Sequence, residues 1–155
     1  MAQTKIEVRH EDFDAGAEIR EAERRSPLDG AVVSFVGIVR SRNDGSSIRS
    51  MTLEHYPGMT EKALAEIVEK ARRRWSLGDV TVIHRVGELQ VGEQIVLCLV
   101  ASPHRAEAFE ACEFIMDWLK TEAPFWKKEK TPEGERWVDA RESDEARKAR
   151  WGDAD

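Results

Sequence analysis

The chain has 155 residues, a formal net charge of −6, and 41% hydrophobic and 35% charged residues. A chain of that size can bury a core without metal or disulfide support, and this composition excludes disorder. The acidic balance excludes a general basic surface for nucleic acid, and no apolar run approaches the roughly 18 residues of a membrane span.

Thr4–Val8 alternates as a short strand, and Phe13 to Arg25 is read as an amphipathic helix with Phe13, Ala17 and Ile19 inward. Ala31–Val39 (AVVSFVGIV) is β-branched and aromatic, as expected of a central strand, and ends at Arg40. The polar stretch SRNDGSS has turn chemistry, and strand character resumes over Ile48–Tyr56, so a hairpin with a mobile tip is predicted.

Pro57-Gly58 breaks that strand, and Thr60 is the expected N-cap of the next helix. Ala63, Leu64, Ile67, Val68, Ala71 and Trp75 recur at helical spacing, ahead of strands over Val80–Val86 and Gln94–Ala101. Ser102-Pro103 is read as the cap and first position of a helix whose buried stripe is Phe109, Cys112, Met116 and Leu119. Ala123-Pro124 stops it, because the residue before proline leaves helical space. Phe125–Lys130 and Glu135–Val138 flank the turn TPEGE as a last hairpin, and the charged tail beyond Ala140 is expected to be loosely held. The order predicts one α+β domain over residues 1–155, with a mainly antiparallel sheet, packed helices and a small additional β-hairpin subdomain.

Cys98 and Cys112 both sit in apolar runs and are read as small buried hydrophobes. There is no CxxC pair, zinc spacing, P-loop, GxGxxG or GxSxG, so no metal or cofactor is expected. The N-terminus has no apolar core of signal-peptide length, and a cytoplasmic, reduced setting is expected.

Three cationic clusters remain. His104 and Arg105 stand at a helix start, where N–H groups and the dipole favour an anion. Lys120 ends that helix, and Lys127 and Lys128 follow a proline bend that lets them converge with it. Neighbouring cations lower an amine's pKa from about 10.4, which suits acid–base work. Arg40 stands where an apolar strand meets a polar loop, beside the backbone of Ile38 and Val39, a place that suits a carboxylate or phosphate. Each cluster also has a plain reading as solvated or dipole-satisfying charge.

The stretches GAVVSFVGIVR, TLEHYPGMTEKALAEIV, VTVIHRVGEL, SPHRAEAFEACEFIMDWLK and APFWKKEKTPEGERWVDA resemble, in order and spacing, the large catalytic subunit family of molybdopterin synthase. The resemblance runs from about Asp29 to Arg141, with LEHYPGM and LK…APFWK its most specific parts. It implies an α/β-hammerhead-like fold. It also implies conversion of cyclic pyranopterin monophosphate to molybdopterin, with two sulfurs taken from the C-terminal Gly-Gly thiocarboxylate of a small ubiquitin-like subunit. The implied assembly is a homodimer of large subunits within a heterotetramer, without nucleic acid or membrane. By the same resemblance Lys120 is the principal catalytic lysine and Lys127 its assistant. Arg40, His104 and Arg105 are anion ligands, Ile38, Val39, Lys128 and Glu129 line the pocket, and Arg141 lies near it.

His104 and Lys120 are sixteen residues apart on one helix, about 24 Å along its axis. One pterin cannot touch both, so a site shared across the large-subunit dimer is expected. The alternatives are a non-catalytic binding module for a ubiquitin-like protein and a small-anion or nucleotide-binding regulatory domain.

Overall fold

A computed structural model describes residues 2–43, 45–138 and 142–152. The elements run β1 (Thr4–Arg9), α1 (Ala15–Arg25), β2 (Ala31–Ile38), β3 (Arg42–Asn43), β4 (Ser46–Ser47), β5 (Ser50–His55) and α2 (Met59–Arg74). They continue as β6 (Val80–Arg85), β7 (Gly87–Gln90), β8 (Gln94–Ser102), α3 (Arg105–Glu122), β9 (Phe125–Thr131), β10 (Gly134–Val138) and α4 (Glu142–Ala149). The α+β class expected from the order of elements is the class observed.

Two four-stranded sheets organise the chain, one ordered β1-β6-β8-β2 and the other β10-β9-β5-β7. Every pairing is antiparallel except β1 with β6. Alternation along the first sheet sorts its side chains. Val80, Val82, Val96, Cys98 and Val100 meet Leu64, Val68, Phe114 and Ile115 of α2 and α3. Ile83, Leu97 and Leu99 meet Phe13 and Ala22 on the α1 side. A smaller core of Val39, Met51, Leu53 and Leu89 lies in the second sheet.

Several expectations change. The strands before and after the polar loop do not form one hairpin: β2 belongs to the first sheet and β5 to the second, and between them β3 and β4 pair as a short ribbon. Strand β7 is additional to the strands expected over Val80–Val86 and Gln94–Ala101, since four residues that begin at a glycine carry little pattern. Helix α2 is capped at Gly58, whose φ of 85° and backbone N–H to Glu61 Oε1 (2.8 Å) do the work expected of Thr60. Thr60 is instead buried, its hydroxyl accepting from the Tyr56 N–H at 3.0 Å. Helix α3 starts at Arg105 with His104 as N-cap, so Ser102 and Pro103 precede it. Phe109 is 62% exposed rather than part of the buried stripe, and Ala17 of α1 is also exposed.

The tail is not loose where it is described. Helix α4 packs along α3: Arg147 reaches Asp117 at 3.1 Å and Glu113 at 2.7 Å, and Lys148 pairs with Glu122. The Trp151 indole N–H donates to Asp117 at 2.8 Å, and its ring meets Trp75 and Phe114 edge-on at 5.7 and 5.5 Å. These charges read as solvated in the sequence because their partners lie about thirty residues earlier.

Candidate functional site

Strand β2 carries the chain out of the first sheet, and Val39 is pinned where it leaves. Its N–H donates to Glu93 O at 3.0 Å and its carbonyl accepts from Gly92 at 2.9 Å. The Val39 side chain is buried, so Arg40 starts the loop from a fixed point while Ile38 stays half exposed. Helix α3 lies across β2 and β8 and delivers Lys120 from its last turn. After Pro124 the chain re-enters as β9, the neighbour of β5 in the second sheet.

Period-two alternation then decides which β9 residues face the seam between the sheets. Lys127 and Glu129 point one way, opposite Leu53 and Met51 of β5. Together with Ile38, Arg40, Asn43 and Lys120 they line a cleft of about 110 Å³. Lys128 points the other way, its ammonium 4.7 Å from the centroid of the Trp137 ring. Lys128 therefore does not line this cleft, and the reason is strand parity.

The cleft's electrostatics centre on Glu129, whose side chain is 4% exposed. Arg136, directly opposite on β10, donates to Oε1 at 3.0 Å, and the Asn43 amide donates to Oε2 at 2.7 Å. The Lys127 ammonium lies 3.9 Å from the same Oε2. Asn43 also accepts from the Arg40 guanidinium at 3.2 Å. A carboxylate so enclosed by donors is a structural counter-charge, and the cations around it are placed to meet an anion arriving from solvent.

Behind Phe125 a further group is enclosed. The His84 ring stacks on it at 3.8 Å and is buried. Its Nδ1–H donates to Arg85 O at 2.9 Å, since a carbonyl only accepts. Burial pulls its pKa down to about 4, and the nearby charges of Lys120 and His55 act in the same sense. The imidazole is neutral near pH 7.

His104 and Arg105 do not line this cleft. They are exposed at the opposite end of the unbroken helix α3, beside the start of β2, where Ala31 pairs with Ser102. Arg141 lies outside the described residues. Asn43, Arg136 and His84 were missed in the sequence. Asn43 was hidden in a turn-forming stretch, whereas Arg136 could have been found from its place opposite Glu129 in the predicted hairpin. Both cysteines are free and buried, as read. The Cys98 thiol is pushed up by its hydrogen bond with Cys112 and by burial, and that bond lowers Cys112.

A larger, mostly apolar groove of about 540 Å³ runs between the β2 edge and α3, with Phe35, Phe109, Cys112 and Met116 on its walls and Lys120 at its border. No helix among the described residues is long and apolar enough to cross a membrane.

Comparison with known proteins gives a consistent result. The molybdopterin synthase catalytic subunit of Ralstonia nicotianae is 63% identical over 147 residues, covering 95% of this chain and 84% of that protein. The molybdopterin biosynthesis MoaE protein from Burkholderia ambifaria MC40-6 superposes with a TM-score of 0.83 at 52% identity, covering 97% of this chain and 99% of that one. A chain of the protein–protein complex of subunits 1 and 2 of molybdopterin-converting factor from Helicobacter pylori 26695 shares the fold. Its TM-score is 0.69 at 23% identity, covering 89% and 91% of the two chains. A family model described as MoaE protein matches residues 8–122, and the chain belongs to that family.

Proposed function

We propose that the chain is a molybdopterin synthase catalytic subunit that forms the dithiolene of molybdopterin on cyclic pyranopterin monophosphate. The sulfur comes from the C-terminal thiocarboxylate of a small ubiquitin-like partner. The observation that carries the reading is the convergence of Arg40, Lys120 and Lys127 on one cleft beside the enclosed Glu129. The substrate's cyclic phosphate and the carboxylate left on the donor tail are both anions. Prearranged cations in a partly desolvated cleft stabilise such charge by several kcal/mol per well-placed donor. Lys120 then acts as general acid–base or as the cation beside developing charge, with Lys127 assisting.

The site is completed by a second copy of the chain. Strand β2 is an edge strand of eight residues, and no strand among those described pairs with its outer side. Antiparallel pairing of two β2 edges about a two-fold axis near Ser34 and Phe35 would set Ala31 of one copy against Ile38 of the other. That brings the His104–Arg105 end of one protomer to the Arg40 end of its partner. It also answers the separation of about 24 Å along α3 and covers the apolar groove beside Phe35 and Phe109.

The test is to mix the protein with thiocarboxylated small subunit and cyclic pyranopterin monophosphate and to look for dithiolene product. Product that depends on all three components supports the reading. Tight binding of the small subunit with no sulfur transfer makes the chain a binding module instead.

A further inference from the structure

The loop from Arg40 to Ile48 brings a guanidinium to the cleft, with Ile48 buried at its far end. Among its described residues the strands are the two-residue β3 and β4. The Ile48 N–H donates back to Ser41 O at 2.8 Å, and Arg49 N–H to Lys130 O at 2.9 Å. The side chain that ties this ribbon to the second sheet is Asn43, which is 5% exposed.

The polarity of its bonds is specific. The oxygen of the Asn43 amide accepts from Arg40 at 3.2 Å and its nitrogen donates to Glu129 Oε2 at 2.7 Å. Its backbone carbonyl accepts from Arg136 at 3.1 Å. A carboxylate at position 43 could only accept, and an alcohol is too short to span both partners, so one amide of this length does what neither can. The chain of bonds runs from Arg40 through Asn43 to Glu129, which also stands 3.9 Å from the Lys127 ammonium.

We propose that Asn43 is a positioning residue, whose buried amide links Arg40 to Glu129 and so fixes the place of the Arg40 guanidinium relative to Lys127 across the cleft. This rests on the function proposed above. Asn43 acts through Arg40, because both ends of its amide are already engaged. A displacement of about 1 Å in such an anchor can cost about 100-fold in rate.

The experiment compares Asn43→Ala with the exchange pair Asn43→Asp plus Glu129→Gln in the assembled enzyme. In the exchange pair the new glutamine amide donates to the new aspartate, which still accepts from Arg40. The two links are kept with one donor direction reversed. Asn43→Ala should raise KM for the pterin about 10-fold or more, and the exchange pair should recover most of that loss. The heteronuclear NOE of the Arg40 Nε–H, read by NMR on the large subunit, should fall in Asn43→Ala and return in the exchange pair. If Asn43→Ala does not fold, Asn43→Asp alone replaces it, because it loses the donor to Glu129 and sets two carboxylates together. Its defect should then lessen as pH falls and a shared proton restores the donor.

The proposal is overturned if Arg40 is as mobile in the wild type as in Asn43→Ala. It is also overturned if KM stays within about twofold of wild type in the Asn43 variant that folds, or if the exchange pair regains thermal stability but not KM. A wild type that makes no product overturns the synthase reading instead, and the NMR comparison still decides the role of Asn43.

Discussion

The carboxylate of Glu129 stands 3.9 Å from the Lys127 ammonium while Arg136, across the hairpin, holds its other oxygen at 3.0 Å. Glu129→Leu removes the acceptor and leaves Arg136, Asn43 and Lys127 facing an apolar side chain. Because Arg136 is partly exposed, the expected loss is at the lower end for a broken buried pair, about 3 kcal/mol. Urea unfolding measures it, and a midpoint equal to wild type would show that Glu129 contributes nothing net.

Lys120→Ala should abolish dithiolene formation while thermal unfolding and binding of the small subunit stay as in the wild type. Lys127→Ala should lose activity less completely. Near-normal turnover in Lys120→Ala would remove this lysine from the mechanism.

Two inactive proteins should rescue each other. Lys120→Ala and Arg105→Ala, mixed equally and allowed to exchange subunits, should regain about a quarter of wild-type activity. Half the dimers are then mixed, and each mixed dimer has one intact site of two. Confirmed exchange with no recovery would mean that each site is built from one protomer alone.

Acid should destabilise the protein through His84. Its folded pKa of about 4 lies below the ordinary value of 6.5, so the unfolded chain binds the extra proton first. Stability attributable to His84 is complete above pH 6.5 and declines as pH falls toward 4, by about 3 kcal/mol over that window. His84→Gln, compared with wild type from pH 7 to pH 4.5, should show a shallower fall in Tm. Parallel curves would assign the acid sensitivity to other groups.

Cys98→Ser and Cys112→Ser should keep sulfur transfer, with stability lost chiefly at the fully buried Cys98. A stable serine variant that no longer transfers sulfur would point to a persulfide carried on this chain.

Much of the fold was legible because periodicity reports burial. The α2 stripe from Leu64 to Ala71 and the β9–β10 hairpin both fell where spacing and turn chemistry placed them. Sheet membership was not legible, since β2 and β5 are neighbours in sequence and nothing local says that a polar loop crosses between sheets. Helix α4 escaped because its stabilising partners, Asp117 and Glu113, are distant in the chain. At the cleft, the residue types of Arg40, Lys120 and Lys127 suggested an anion site, and the structure brings those three together. Lys128 lies on the other side of β9 from Lys127, a separation that two adjacent lysines show only once the strand is formed. Asn43 and His84 act through partners that only tertiary structure supplies.

The outer edge of β2, with which no described strand pairs, also bears on how the chain survives its own synthesis. Its sequence, AVVSFVGI, contains no charge and no proline, the usual guards against pairing with a stray extended segment. If two copies pair through β2 as proposed, a copy that has not yet paired offers the outer backbone of this strand to any exposed strand nearby. At high concentration of unpaired chains, material should therefore be lost to aggregates, whereas dilution favours single chains. Ser34→Lys would protect the lone chain and, on the proposed pairing, oppose the two-fold contact, which sets solubility against activity at that position.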